Sequence, residues 1–207
     1  MQKILKPDGR ALIVAMDHGR DWGPLPGIEN PAATIETVVD AGADCIFTTY
    51  GLAKQCGHLV NGRAGLIVRI DGYASVYREK WLHYSSWQQL YSVEDAVRVG
   101  ADGVIVLYFL GAPGEPESLR VTAQAAVEAD RLGVPLAVEA LPCPCEAIPD
   151  TTDTKAIAAA SRIAVEHGAD MIKCYYNGKD DYAYVVETSP VPVLIAGGPV
   201  TETRLQA

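Results

Sequence analysis

The chain has 207 residues, of which 49% are apolar and 21% charged, and its formal net charge is −9; this is the composition of a soluble globular protein with one sizeable core. The acidic balance argues against nucleic acid or an anionic membrane as a partner, since both call for a basic surface. No apolar run approaches the roughly 18–20 residues that span a bilayer, and the start, Met1-Gln2-Lys3-Ile4-Leu5-Lys6-Pro7-Asp8, lacks the apolar stretch of a signal peptide, so a cytoplasmic location is expected.

Short apolar, β-branched runs alternate with longer amphipathic segments. Residues 11–16 read as a first strand ending in Asp17-His18-Gly19, residues 31–40 as a helix, and residues 44–49 as a second strand. A third strand covers 65–70, and the stretch 71–91 is long, aromatic and poorly periodic. A short helix over 92–99 leads into a fourth strand at 103–107. The helix over 116–132 has Pro116 near its start and Gly133 just past its end. A fifth strand at 134–139, a helix at 151–167, a sixth strand at 170–174 and a seventh at 191–196 complete the series, and the seventh runs into Gly197-Gly198-Pro199. Five cysteines (Cys45, Cys56, Cys143, Cys145, Cys174) are an odd count without disulfide-scaffold spacing, and they read as reduced thiols. Cys143-Pro144-Cys145 lacks the two-residue spacer of a redox pair and reads as structural. Cys56 and His58 are expected in a glycine-rich loop, with no partner cluster nearby.

Three helix-to-strand joints share one shape: Ala41-Gly42-Ala43-Asp44, Val99-Gly100-Ala101-Asp102 and His167-Gly168-Ala169-Asp170. Glycine ends the helix and a strand follows within three residues. Recurrent βα units with continuously apolar strands imply a parallel sheet. Equivalent joints favour a TIM (β/α)8-type barrel, with an open doubly wound sheet as the competing arrangement. The expectation is a single (β/α)-barrel domain over residues 1–207, truncated after strand seven and lacking the eighth βα unit.

Barrels place their reactive groups at the C-terminal ends of the strands. The polar residues there are Asp17 and His18, Tyr50, Arg69 and Asp71, Tyr108, Glu139, Lys173, Tyr175 and the Gly197-Gly198 pair. Lys173 follows Met171-Ile172 inside an apolar strand, where a charge is costly unless used or paired. Alternation puts Met171, Lys173 and Tyr175 on one face. If that face points inward, burial and a neighbouring cation favour the neutral amine that attacks carbonyls, with Arg69 the leading cation. The competing reading is a structural ion pair, for example with Asp17. Asp17 can orient the lysine or shuttle protons, or else cap its own turn. His18 has the wrong parity and reads as structural. Gly197 and Gly198 offer backbone N–H groups where barrels commonly bind phosphate.

The residues Ala15-Met16-Asp17-His18-Gly19, then Trp22-Gly23-Pro24 and Gly27-Ile28-Glu29, resemble the archaeal-type class I fructose-bisphosphate aldolases and their relatives in the DeoC/LacD-type group. Gly168-Ala169-Asp170-Met171-Ile172-Lys173 with Tyr175-Tyr176 and Gly178 is similar to that family's Schiff-base strand, and residues 193–199 to its phosphate-binding loop. The resemblance implies a lyase, an aldehyde-lyase. Lys173 would condense with the ketone of a phosphorylated sugar, forming an iminium that serves as electron sink, with neither metal nor cofactor. It carries over Asp17 as a catalytic carboxylate and Gly197 and Gly198 as phosphate contacts; Arg69 is added as a further substrate or phosphate ligand. A homo-oligomer is expected.

Two departures stand out. Where the fructose-bisphosphate members carry an aromatic pair with a proton-transferring tyrosine, this chain has Glu139 and Leu141. Glu139 is therefore the candidate acid/base, with a pKa raised by a partly apolar mouth, and Tyr175 competes for the role. The family's eighth strand, which supplies a Gly-Arg phosphate contact, is expected to be absent from residues 1–207. Besides the aldolase, two readings stay open: a thiolase or transaldolase-like transferase on the same imine scaffold, and a non-catalytic barrel that binds sugar phosphates.

Overall fold

The computed structural model describes residues 1–196. The main sheet joins β1 (Ile13–Ala15), β2 (Cys45–Thr49), β3 (Gly65–Arg69), β6 (Gly103–Leu110), β7 (Leu136–Pro142), β8 (Met171–Tyr175) and β9 (Val193–Ala196) in that spatial order. Every pairing in it is parallel. A two-stranded antiparallel pair, β4 (Asp71–Gly72) with β5 (Gln88–Gln89), stands apart. Among the described residues β1 and β9 end the order.

The two faces of the sheet are filled differently, and this sets its curvature. Even-numbered residues such as Ile46, Val68, Val104, Val138 and Ile172 pack in one large cluster beneath the helices. Odd-numbered Cys45, Phe47, Ile67, Ile105, Ala137 and Met171 converge with Ile4 into a small cluster of their own. A flat doubly wound sheet would need helices on both faces. Here the inner face is covered by its own side chains, as in a barrel of the (β/α) type. Ile4 closes the bottom, and a Cβ on Gly65 would run into the Lys3 carbonyl.

Each letter of the Gly-Ala-Asp joint has its own physical reason. Gly42, Gly100 and Gly168 have φ of 93°, 95° and 100°, a region that disfavours side chains. Ala43, Ala101 and Ala169 are buried. The aspartates make a two-bond clamp onto the neighbouring strand. Asp44, Asp102 and Asp170 donate their N–H to the carbonyls of Leu12, Leu66 and Leu136 at 2.7–2.9 Å. In return their carboxylates accept the N–H of the same leucines at 2.8, 3.1 and 2.8 Å.

Helices begin where side chains satisfy their first N–H groups. Asn30 caps α2 (Pro31–Asp40), a Ser92–Asp95 capping box opens α4 (Val93–Arg98), and Asp153 caps α6 (Thr154–Glu166). The Asp153 cap explains why α6 starts three residues after the expected 151. The 18-residue α5 (Glu115–Leu132) ends at Gly133 in the left-handed conformation.

Several expectations need correction. The fourth and fifth strands run on to Leu110 and Pro142, because β6 and β7 stay in register over seven residue pairs. Tyr108 is therefore mid-strand on the outer face, buried, and its hydroxyl donates to Glu115 at 2.7 Å. Cys56 lies in a helix, α3 (Tyr50–Cys56), capped by Thr49, and His58 in the 3-10 turn Gly57–Leu59. The aperiodic stretch after β3 is held by an aromatic cluster of Trp81, Tyr84, Trp87 and Phe109.

Candidate active site

Parity and register bring the charged residues together. Glu139 and Lys173 are direct cross-strand partners in the β7–β8 pairing, and adjacent side chains on one face meet. The Lys173 Nζ lies 2.8 Å from Glu139 Oε1. It also stands 4.7 Å from the centre of the Phe47 ring. Beneath it, a cavity of about 50 Å³ is lined by Ile13, Ala15, Ile67, Ile105 and Ala137 among others. The amine thus has an apolar floor and one carboxylate neighbour.

The opposite wall is built on Arg69, whose side chain is 1% exposed. Its Nε donates to Asp17 Oδ2 at 2.7 Å, its Nη2 to Glu139 Oε2 at 2.5 Å and its Nη1 to Asp71 Oδ1 at 3.2 Å. Its guanidinium lies 4.8 Å from the centre of the same Phe47 ring. Burial alone would weaken the guanidinium's hold on its proton. Asp17, Asp71 and Glu139 more than reverse that and push its pKa up. Burial likewise pushes the Asp17 carboxyl up, but Arg69, Lys173 and Arg20 together leave it below the usual carboxylate range.

Asp71 is fully enclosed. Besides Arg69 it accepts from Trp87 Nε1 at 2.7 Å and from the Leu107 N–H at 2.5 Å. Arg20 pairs with Asp21 and donates to the Asp71 carbonyl at 3.0 Å. Arg69 thus ties three carboxylates together, and of these Glu139 is the one in direct contact with the Lys173 nitrogen. Among the described residues no group of three or more His, Cys, Asp or Glu converges as a metal site would; the three carboxylates around Arg69 are already spent on its nitrogens.

The Lys173 ion pair is with Glu139 and not with Asp17, whose partner is Arg69. Glu139 does not meet the apolar mouth expected of it, because a cation contacts each of its oxygens. Arg69 is a buried organiser with each guanidinium nitrogen on a carboxylate, which leaves it poorly placed to receive a phosphate. Tyr175 is half-buried and packs towards the outer cluster; burial pushes its phenol up, against a smaller opposing pull from Trp81. His18 is exposed beside Trp22. Tyr50 opens α3 and stacks on Tyr91 at 4.3 Å. Gly197 and Gly198 lie outside the described residues.

Phe47, Asp71 and Trp87 carry more of this site than the sequence suggested. The parity of Phe47 with Cys45 could have flagged it, whereas Trp87 sits in a segment without periodicity. The Cys143 thiol is buried and pushed up to about 12 by that burial, a poor metal or redox group. A cleft of about 540 Å³, lined by Arg20, Tyr50, Arg69, Asp71 and Tyr91 among others, opens beside the strand ends. A larger one of about 1150 Å³ lies at the other end, among the joints 42–44 and 100–102. The larger cleft lies away from the Lys173–Glu139 pair, so size does not locate the chemistry here.

The direct neighbour of the Lys173 nitrogen is a carboxylate and not the cation expected to favour a neutral amine; the pair can act as a nucleophile once Glu139 has accepted the lysine's proton. Residues 11–207 match the family model described as DeoC/LacD family aldolase. A 2-amino-3,7-dideoxy-D-threo-hept-6-ulosonate synthase of Halobacterium salinarum is 36% identical over 195 residues, covering 94% of this chain and 71% of that protein. An uncharacterised aldolase of Saccharolobus solfataricus is 34% identical over 203 residues, covering 94% and 74%. A solved Schiff-base-forming fructose-1,6-bisphosphate aldolase superposes with a TM-score of 0.84 at 30% identity, covering 97% of this chain and 80% of that one.

Proposed function

The chain belongs to the DeoC/LacD family of aldolases, and from that premise we propose how its own residues perform Schiff-base chemistry. It is a class I aldolase, a lyase whose lysine forms an imine with a phosphorylated carbonyl substrate. Glu139, 2.8 Å from Lys173 Nζ, accepts a proton from the ammonium, and the freed amine adds to the ketone carbon. A nitrogen proton of the adduct passes to the new alkoxide to give the carbinolamine, and protonated Glu139 returns its proton to that hydroxyl, which leaves as water. The resulting iminium carries a positive charge where Asp17 and Glu139 already supply negative potential, a preorganised electrostatic stabilisation.

Carbon–carbon cleavage then moves the bonding pair into the iminium. The proton of the β-hydroxyl goes to a carboxylate, the aldehyde leaves, and an enamine remains. Reprotonation at carbon and hydrolysis free the lysine. Asp17, held below the usual carboxylate range by Arg69 and Lys173 against its burial, stays ionised and acts as a fixed charge; Glu139 is the proton carrier, with Tyr175 as the reserve candidate. Arg69 is reassigned from phosphate ligand to organiser of the two carboxylates, and Gly197 and Gly198 keep the phosphate assignment from sequence.

The relatives act on a ketose bisphosphate or make an aminodideoxyheptulosonate by their names. With Leu141 in place of the proton-transferring tyrosine, a ketose phosphate other than fructose bisphosphate is the substrate class favoured for this chain. We place the enzyme in the cytoplasm as a homo-oligomer, the second of which light scattering on the purified protein tests.

The observation that carries this reading is the Lys173–Glu139 pair on the apolar floor. Borohydride reduction in the presence of dihydroxyacetone phosphate, followed by peptide mass spectrometry, tests it. A stable adduct on Lys173 is expected; an adduct on another lysine, or none from folded protein, contradicts it.

A further inference from the structure

Glu139 reaches Lys173 with one oxygen only. Its other oxygen is taken by Arg69, and a carboxylate held at both oxygens cannot rotate about its terminal bond. Arg69 in turn has no freedom. Asp17 and Asp71 hold its remaining nitrogens and the Phe47 ring backs its plane. The far anchor is Asp71, which makes no contact with Lys173 and is itself pinned by the Trp87 indole and the Leu107 backbone. Arg20 packs 5.5 Å from the Trp87 ring centre and bonds the Asp71 carbonyl. A continuous chain of polar contacts therefore runs from Trp87 through Asp71, Arg69 and Glu139 to the reactive nitrogen.

We propose that Arg69 and Asp71 are positioning residues that fix the orientation of the Glu139 carboxylate towards Lys173, and that Trp87 sets this arrangement from the segment between β4 and β5. Burying an arginine and an aspartate this completely is costly unless each partner is placed to match. A guanidinium fork suits the task because it presents several N–H groups in one rigid plane, which a lysine ammonium does not. Small errors matter at this distance, since a misplacement of about 1 Å at a reacting group can cost around 10²-fold in rate. The segment between β4 and β5 is thereby part of the proton-transfer apparatus, although it contributes no group to the reacting atoms.

The inference rests on the aldolase reading of Lys173 and Glu139, and the experiment separates the two. Dihydroxyacetone phosphate serves as the probe in both arms. Borohydride trapping reports nucleophilic attack by Lys173, while hydrogen–deuterium exchange at the carbon beside its carbonyl, followed by NMR, reports proton transfer. Absence of a wild-type adduct strikes the aldolase reading itself, before any variant is compared. Given an adduct, Arg69→Lys keeps a cation but cannot bridge three carboxylates. It is expected to retain trapping at saturating probe and to lower the exchange rate at saturation by about 10-fold or more, with KM within about twofold. Trp87→Phe keeps the ring that packs on Tyr84 and Phe109 and deletes one hydrogen bond to Asp71. It is expected to lower the same rate about threefold, again with KM unchanged. A purely structural role predicts lower melting temperatures with the exchange rate intact, and that outcome in folded Trp87→Phe overturns the proposal even if Arg69→Lys does not fold. Complete loss of the adduct at saturating probe after prolonged trapping also overturns it, because a misplaced Glu139 slows imine formation without abolishing it.

Discussion

The two ends of the barrel handle their charges in opposite ways. At the joint end, Asp44, Asp102 and Asp170 each accept a leucine backbone N–H at or beside the neighbouring strand, and Asp44 and Asp102 also hold the exposed Lys6 and Lys3. At the mouth, Asp17, Arg69, Asp71, Glu139 and Lys173 bond one another across as many as 70 sequence positions, and no two have the same surroundings. The repeated end uses charge to register strands. The unrepeated end gathers buried charge at a cost that only paired geometry offsets, the pattern of a site kept for chemistry.

Substitutions at each end should separate these roles. The largest effect is expected for Lys173→Met, which removes the nucleophile: no borohydride adduct, and a loss of at least about 10⁴-fold in turnover, measured with the melting temperature as a control for folding. Glu139→Gln comes next. It should keep a measurable adduct while slowing proton exchange by about 10²–10⁴-fold, and an unchanged rate would pass the role to Tyr175. At the joint end, Asp170→Ala should destabilise the fold by about 1–2 kcal/mol through the orphaned Leu136 N–H, read by urea unfolding, and leave kcat where it was. A fall in kcat there would break the division between the ends.

The smallest effect is a matter of pH. The Asp17 carboxyl sits below its ordinary value of 3.8 in the fold, so its contribution to stability is fully present above that value and is lost as pH falls through the folded value. The stability gap between the wild type and Asp17→Asn should therefore be constant near neutrality and shrink below about pH 4. A gap that widens in acid would mean that Asp17 is not held ionised by Arg69 and Lys173.

Much of the joint end was legible in the sequence because its signals are local. Glycine before a strand and proline at a helix start each act within a few residues, and Pro31, Gly133 and Gly168 mark their boundaries accordingly. Strand alternation also carried Lys173 and Glu139 to one face, since parity needs no knowledge of the partner. What parity cannot supply is the identity of that partner. Lys173 was open to pairing with Asp17 until the β7–β8 register set it opposite Glu139. Arg69 read as a ligand for substrate because three carboxylates, from the turn after β1, from β4 and from β7, meet it only in the folded barrel. Asp71 is legible as a strand-end polar residue, but its bond to Trp87 was out of reach, as that contact spans an aromatic stretch without a period.

The most direct measurement is a crystal structure of the borohydride-reduced adduct with dihydroxyacetone phosphate. The account predicts a covalent bond at Lys173 Nζ, with that nitrogen still within hydrogen-bond distance of Glu139 and Arg69 still bridging Glu139 to Asp17. An adduct whose nitrogen has turned away from Glu139, or an Arg69 withdrawn from the carboxylates to hold the phosphate, would contradict it.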